Sequence, residues 1–209
     1  MGTSGIRLRK IAPADHRQMP WKNGLGTTAE IAVEPPDSGF AGGRFDWRLS
    51  IATVERSSPF SAFPGYERTI MVIEGAGMEL TVSGRRPRRL DRLFDPFVFS
   101  GDDPVDCRLL GGPIRDFNLM VDRAPLRSRI EVLHLADTSR ALAPSGRTLI
   151  LHCLSGGLNL GSIPDVDHLT AEHTLVIDDH TRELGQIQLT AAGPAVAAAI
   201  TLDANDSRE

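Results

Sequence analysis

The sequence predicts an all-β fold, a sandwich or barrel of short strands. Three observations carry this expectation. Helical periodicity is scarce across the 209 residues. Short alternating or wholly apolar runs take its place, separated by clusters of Gly, Pro, Asp and Ser that mark turns. One β pattern also occurs twice. The stretch from Thr69 to Leu80 is matched 79 residues later by that from Thr148 onward, and Asp95-Pro-Phe-Val-Phe99 is matched 78 residues later by His173-Thr-Leu-Val-Ile177. A near-constant offset points to one β unit used twice.

Read in order, the first half carries strands over 5–11, 27–33, 46–54, 69–74, 77–82, 97–100, 106–110 and 116–121. The second half carries them over 129–135, 148–154, 157–160, 174–177, 186–190 and 195–202. The break between copies falls near 123–128, where Arg123-Ala-Pro-Leu-Arg-Ser128 interrupts the pattern. Two units follow, residues 1–123 and 124–209. The polar residues suited to a ligand site concentrate in the first, which is where we expect the site.

Composition narrows the function classes. A hydrophobic fraction of 41% suits a globular chain, and a net charge of −4 gives no general attraction to nucleic acid or acidic membranes. The basic run Arg85, Arg86, Arg88 and Arg89 reads as a solvated hairpin tip. Cys107 and Cys153 stand apart on apolar stretches and read as buried free thiols. Arg7, Arg9 and Lys10 interrupt any signal-peptide core, Ile6 breaks the myristoylation pattern, and the apolar run 195–202 is too short to span a bilayer. A cytoplasmic location is the resulting expectation, without nucleic-acid or membrane partners.

Four segments carry polar groups in an apolar setting, as a small-molecule site requires. The first runs from Trp21 through Lys22, Asn23, Gly24, Leu25 and Gly26 into an alternating strand. Simple alternation puts Thr28, Glu30 and Ala32 on one face there. The Gly-Lys-Ser/Thr order of a phosphate loop is missing. The second is 45–54, with Trp47, Leu49 and Ile51 on one face and Arg48, Ser50 and Ala52 on the other; periodicity leaves open which face lines the interior. Arg48 there is a candidate carboxylate receptor through its planar fork. The third, 57–68, offers Phe60 and Phe63 as pocket walls or as a plug, and Arg68 as a second receptor. The fourth places Asp116, Asn118 and Met120 on one strand face, with Asp116 either pairing an arginine or orienting a ligand amine. The histidines form no H-x-H or H-E-x-x-H motif. His168 and His173 lie five positions apart, which sets them on opposite faces of a strand. Asp178, Asp179 and His180 read as a turn cluster. No metal and no cofactor is expected.

Four of these pieces recur in order in a known family. Pro20-Trp-Lys-Asn-Gly-Leu-Gly-Thr-Thr-Ala-Glu-Ile31, Trp47-Arg-Leu-Ser-Ile-Ala52, Pro59-Phe-Ser-Ala-Phe-Pro-Gly-Tyr-Glu-Arg68 and Asp116-Phe-Asn-Leu-Met120 resemble the HutD/Ves family. The resemblance covers about residues 5–123. It implies a bicupin, two cupin-like (double-stranded β-helix, or jelly-roll) barrels in one chain, and an association with histidine utilisation. The paired-histidine and glutamate motif of metal cupins is missing. Leu25 stands where the family usually has the middle of three glycines.

Two functions follow as expectations. One is a metal-independent binding protein that senses or regulates histidine utilisation through a small carboxylate such as N-formylglutamate or urocanate. In it Lys22, Arg48 or Arg68 neutralises the ligand, Asn23, Ser50 and Asn118 hydrogen-bond it, and Trp21, Phe60 and Phe63 exclude water. The other is a metal-independent enzyme on a small amino-acid or sugar derivative, with Glu30 or Asp116 as general base. No clear acid–base pair favours the second. A homodimer is a further expectation for a bicupin, although nothing in the sequence sets its symmetry.

Overall fold

The computed structural model describes residues 6–36, 38, 43–178 and 184–205. Among these the strands are, in chain order, β1 Arg7–Ile11, β2 Arg17–Pro20, β3 Gly26–Glu34, β4 Trp47–Val54, β5 Ser58–Phe60, β6 Tyr66–Glu74, β7 Met78–Val82, β8 Arg88–Leu90, β9 Phe97–Ser100, β10 Val105–Leu109 and β11 Ile114–Asp122. They continue with β12 Leu126–Leu135, β13 Ser139–Leu142, β14 Thr148–Ser155, β15 Gly157–Gly161, β16 His168–Thr170, β17 Thr174–Asp178, β18 Ile187–Thr190 and β19 Ala195–Ala204. The described helix is one 3-10 turn, Pro13–Asp15, so no described helix is long and apolar enough to cross a membrane.

The chain divides into two compact units, His16–Leu126 and Met1–Asp15 with Arg127–Glu209. The expected first unit, 1–123, therefore gives up its opening segment. The reason is strand pairing: β1 runs antiparallel to β17, with Arg9 opposite Val176 and Ile11 opposite Thr174.

Each unit contains two sheets. In His16–Leu126 a six-stranded sheet in the order β2-β3-β4-β11-β6-β9 faces a four-stranded sheet, β5-β10-β7-β8. Ala52, Val54, Ile70, Val72 and Ile114 from the first meet Met78, Leu80, Leu90, Val105 and Cys107 from the second in one core. The other unit holds β1-β17-β14-β19-β12 and β13-β18-β15-β16. Adding eight to each label converts β4-β11-β6-β9 into β12-β19-β14-β17, and β5-β10-β7-β8 into β13-β18-β15-β16. The repeat read in the sequence is thus a repeated topology of eight strands. β2 and β3 are additions at the edge of one copy, and β1 is an addition at the edge of the other.

Burial explains which strands could be read in advance. β11 and β14 are buried almost end to end, whereas β7, β10 and β18 alternate between core and surface. The five strands not anticipated are β2, β5, β8, β13 and β16. All are three or four residues long, and all lie at sheet edges. An edge strand this short buries too little to show a period. The basic run falls here: Arg88 and Arg89 belong to β8 and pair with Asp95 and Asp91 at the surface. Cys107 and Cys153 are buried free thiols, and burial pushes both up, to about 12 and about 11.

The repeat is visible in its turns as well. Gly77 and Gly156 occupy matching positions, each in the turn that links a strand of one sheet to a strand of the other, with φ of 101° and 75°. A Cβ on Gly77 would press on the carbonyl of Leu90, and one on Gly156 on the carbonyl of Pro194. Gly84 shares the positive φ, at 66°, but has open space around it. Gly77→Ala should therefore cost at least about 1 kcal/mol more than Gly84→Ala, because steric displacement adds to the shared backbone cost. Urea denaturation of the two variants checks this; equal losses would show that the backbone near Leu90 yields freely.

Candidate functional site

The inner face of the six-stranded sheet divides along its length. Toward one end Val54, Val72 and Ile114 join the core. Toward the other the same face turns polar. Strand register produces this: Met120 on β11 lies opposite Arg48 on β4 and also opposite Arg68 on β6. Two residues along, Asn118 lies opposite Ser50. Two further, Asp116 lies opposite Ala52 and Val72. Arg48, Ser50, Ala52, Arg68, Asp116, Asn118 and Met120 line a cavity of about 360 Å³. Arg48, Ser50 and Ala52 face the cavity, while Trp47, Leu49 and Ile51 on the opposite face are buried as well.

The expected faces of β3 need one correction. A β-bulge between Glu30 and Ala32 inserts Ile31 as an extra residue, so Ala32 lies opposite Leu49 and Val33 opposite Arg48. Ala32 thereby leaves the face of Thr28 and Glu30, and Val33 joins Phe45, Tyr66 and Met120 in a small apolar cluster.

Two arginines are buried at this cavity, with exposures of 3% for Arg48 and 6% for Arg68. Arg48 donates through Nε to Oε2 of Glu30 at 2.7 Å, a buried ion pair. Arg68 has no carboxylate in ion-pair contact among the described residues. Its guanidinium carbon lies 5.6, 5.4 and 4.9 Å from the ring centres of Phe60, Phe63 and Phe99. Its Nη1 donates to the carbonyl of Ser61 at 3.2 Å. Aromatic faces partly replace the lost water around the cation. Burial still lowers the Arg68 pKa to about 10, helped by the charge of Arg48 and opposed by Asp116. Asp116 accepts a hydrogen bond from the amide of Asn118. Burial pushes its carboxyl up to about 7, against the Asn118 bond and the Arg68 charge.

The β2–β3 hairpin forms the cavity's polar rim. Trp21 donates from Nε1 to Oγ1 of Thr28 at 2.8 Å, and its ring lies against Gly26, where a Cβ would press on it and on the carbonyl of Thr53. Asn23 Oδ1 accepts from the backbone N–H of Leu25 at 3.0 Å, and Gly24 takes a φ of 67°. The two glycines thus stand where a positive φ and a close approach need them. Leu25 occupies neither kind of position, so its departure from the family pattern leaves the loop's backbone needs met.

Of the expected site residues, Trp21, Lys22, Asn23 and Thr28 line the cavity from the hairpin and β3. Arg48 and Ser50 line it from β4, Phe60, Phe63 and Arg68 from the next segment, and Asp116, Asn118 and Met120 from β11. Gly24 and Glu30 do not. Gly24 is exposed at the turn and serves the backbone, and Glu30 is engaged by Arg48. Ala52, Val54, Pro59 and Ser61 also line the cavity and were not singled out. Ala52 and Val54 continue the alternation that begins at Arg48, which is the signal that finds them. Among the described residues no three His, Cys, Asp or Glu side chains gather as a metal group. His168 lies on β16 and His173 just outside β17, so the two do not share a strand as the facing argument assumed. His173 Nδ1 instead contacts Oγ1 of Thr170 at 2.9 Å. Asp179 and His180 lie outside the described residues.

The raised Asp116 pKa has a stability consequence of definite sign. The folded state holds this proton more tightly than the unfolded chain does. The stabilisation is therefore complete below about pH 4 and is lost as pH rises through about 7. Relative to Asp116→Asn, the natural protein should lose up to roughly 4 kcal/mol of stability between about pH 4 and pH 8. Denaturant titrations across this range measure the difference. A pH-independent gap would mean that the carboxyl titrates normally.

Comparison with known proteins identifies the family. The family model described as HutD matches residues 13–198. An uncharacterised 21.2 kDa protein in the hutC 3′ region of Pseudomonas putida is 47% identical over 149 residues, covering 71% of this chain and 75% of that one. Protein Ves of Citrobacter koseri is 34% identical over 151 residues, covering 70% and 74%. The solved structure of HutD from Pseudomonas fluorescens SBW25 superposes with a TM-score of 0.80 at 34% identity, covering 95% of this chain and 100% of that one. Bacillus subtilis oxalate decarboxylase, at 8% identity, a TM-score of 0.66 and coverage of 93% and 77%, shares the fold alone, which is cupin-like. With a family model spanning nearly the whole chain, and relatives above the level where fold and family part, the chain belongs to the HutD family.

Proposed function

We propose that this chain is a bicupin that binds a small carboxylate without a metal, and that binding lets it sense or regulate histidine utilisation. The observation that carries the ligand class is Arg68. It is a buried guanidinium, caged by three aromatic rings, without an ion-pair partner among the described residues, and it faces a cavity. A carboxylate supplies both the charge and the acceptors that such a fork lacks. Arg48 lies at the same level across the sheet, and Lys22 stands at the rim. Arg68 and Lys22 repel a divalent metal and attract an anion, while Arg48 is matched by Glu30, which favours metal-free binding. Trp21, Phe60 and Phe63 exclude water, and Ser50, Asn118 and Asn23 offer further hydrogen bonds. The volume is at the small end of the roughly 300–1,000 Å³ usual for ligand pockets, which suits a small metabolite.

The link to histidine utilisation comes from the relatives, one in a hutC 3′ region and one named HutD. N-formylglutamate and urocanate are the carboxylates this reading favours. The bicupin architecture is supported by the eight-strand order that occurs twice and by the cupin-like neighbour. One observation favours a second reading. A carboxyl held near neutral pKa inside a cavity is what a general base needs, so Asp116 is the residue to test for turnover.

Thermal-shift measurements with histidine, urocanate, N-formylglutamate and glutamate, with and without chelator, test the proposal. A ligand at about 100 times its Kd should add roughly 2.7 kcal/mol of stability whether or not chelator is present. Arg68→Gln should weaken binding by about 1.5–3 kcal/mol. Absence of any shift, or a shift abolished by chelator, would overturn the metal-free carboxylate assignment.

A further inference from the structure

The cavity contains two buried groups with unmade hydrogen bonds, and they are of opposite kind. Asp116 is 1% exposed; its Oδ1 accepts from Asn118, while Oδ2 has no hydrogen-bond partner among the described residues. Arg68 is 6% exposed; its Nη1 serves the carbonyl of Ser61, while Nε has no acceptor among the described residues. A buried acceptor and a buried donor left unmade each carry the desolvation cost of a lost bond. Register keeps them from satisfying one another. Arg68 lies opposite Met120, whereas Asp116 lies opposite Val72, four residues further along β6 and about 13 Å away along the strand. Ser50 and Asn118 lie at the level between them. Along the cavity, then, a donor stands at one end, a hydroxyl and an amide in the middle, and a lone acceptor at the other end.

We infer that the ligand is bifunctional: a carboxylate oxygen takes the donor of Arg68, and a distal N–H or O–H group donates to Oδ2 of Asp116. This rests on the carboxylate reading above and deepens it, because it makes Asp116 the residue that selects among carboxylates. Glu30 cannot take this part, since Arg48 already holds it at 2.7 Å. The perturbation of Asp116 agrees with the assignment. One hydrogen bond from Asn118 and the charge of Arg68 do not offset its burial, and a second donor is what the anion lacks. The class described is a short carboxylate with an amide, imidazole or hydroxyl donor at its far end.

Titration calorimetry on the full chain at neutral pH tests this with two pairs matched in size. Glutaric acid monoamide is compared with monomethyl glutarate, and urocanate with 3-(furan-3-yl)acrylate. The donor-bearing member of at least one pair is expected to bind at least about tenfold more tightly. Asp116→Asn should erase or reverse that preference. In it the new carbonyl takes the Asn118 N–H, and an NH2 stands where Oδ2 was. Arg68→Gln should weaken both members of a pair alike. Equal affinities within both pairs overturn the donor assignment, and continued sensitivity to Arg68→Gln would then leave the carboxylate reading standing. No binding by any of the four overturns both. The natural protein's preference decides the matter even where a variant fails to fold.

Discussion

The antiparallel register of β11 against its two neighbours is the constraint on which the rest of the site depends. It aligns Arg48, Met120 and Arg68 at one level, and Ser50 with Asn118 at the next. Because side chains alternate strictly along a strand, one residue of slip would send every one of these groups to the opposite face. The central strands are buried on both faces, so such a slip would also place arginine and aspartate where Leu49, Ile51 and Phe117 now pack. The apolar pattern of the core thereby enforces the polar pattern of the cavity.

The two arginines show how a protein can bury cations by different means. Arg48 is matched by a carboxylate carried on the bulged strand beside it. Arg68 is instead surrounded by aromatic faces and bonded to a carbonyl. A buried ion pair contributes little net stability, because desolvation consumes most of the attraction. Neither arrangement is what a core optimised only for stability would choose. Such departures from local preference are expected where a fold gives up stability for a functional site.

The repeat separates scaffold from site. Both units share the same eight-strand order, and matching glycines sit in the corresponding turns from one sheet to the other. The features that make the cavity belong to one copy. β2 and β3 add the hairpin with Trp21, Lys22 and Asn23, and the equivalent edge of the other unit has no such addition in its sheet order. One order of eight strands therefore occurs in both units, and the polar cavity lies beside the β2–β3 addition to one of them.

Much of this was legible in the residues. The all-β class, the central strands, the repeat and twelve of the cavity-lining residues follow from alternation, turn residues and clustered polar side chains. What could not be read shares one physical origin, which is contact between segments distant in sequence. Edge strands such as β2 and β8 exist only because a neighbour pairs with them. The pairing of β1 with β17 moves the first strand to the other unit. The bulge at Ile31 breaks the period by which Ala32 was assigned a face, and it is recognised only against β4. The inner face of β4, the separation of Asp116 from Arg68, and the engagement of Glu30 likewise depend on register. Local sequence determines which residues can alternate and where the chain can turn; only the tertiary pairing decides what each side chain meets.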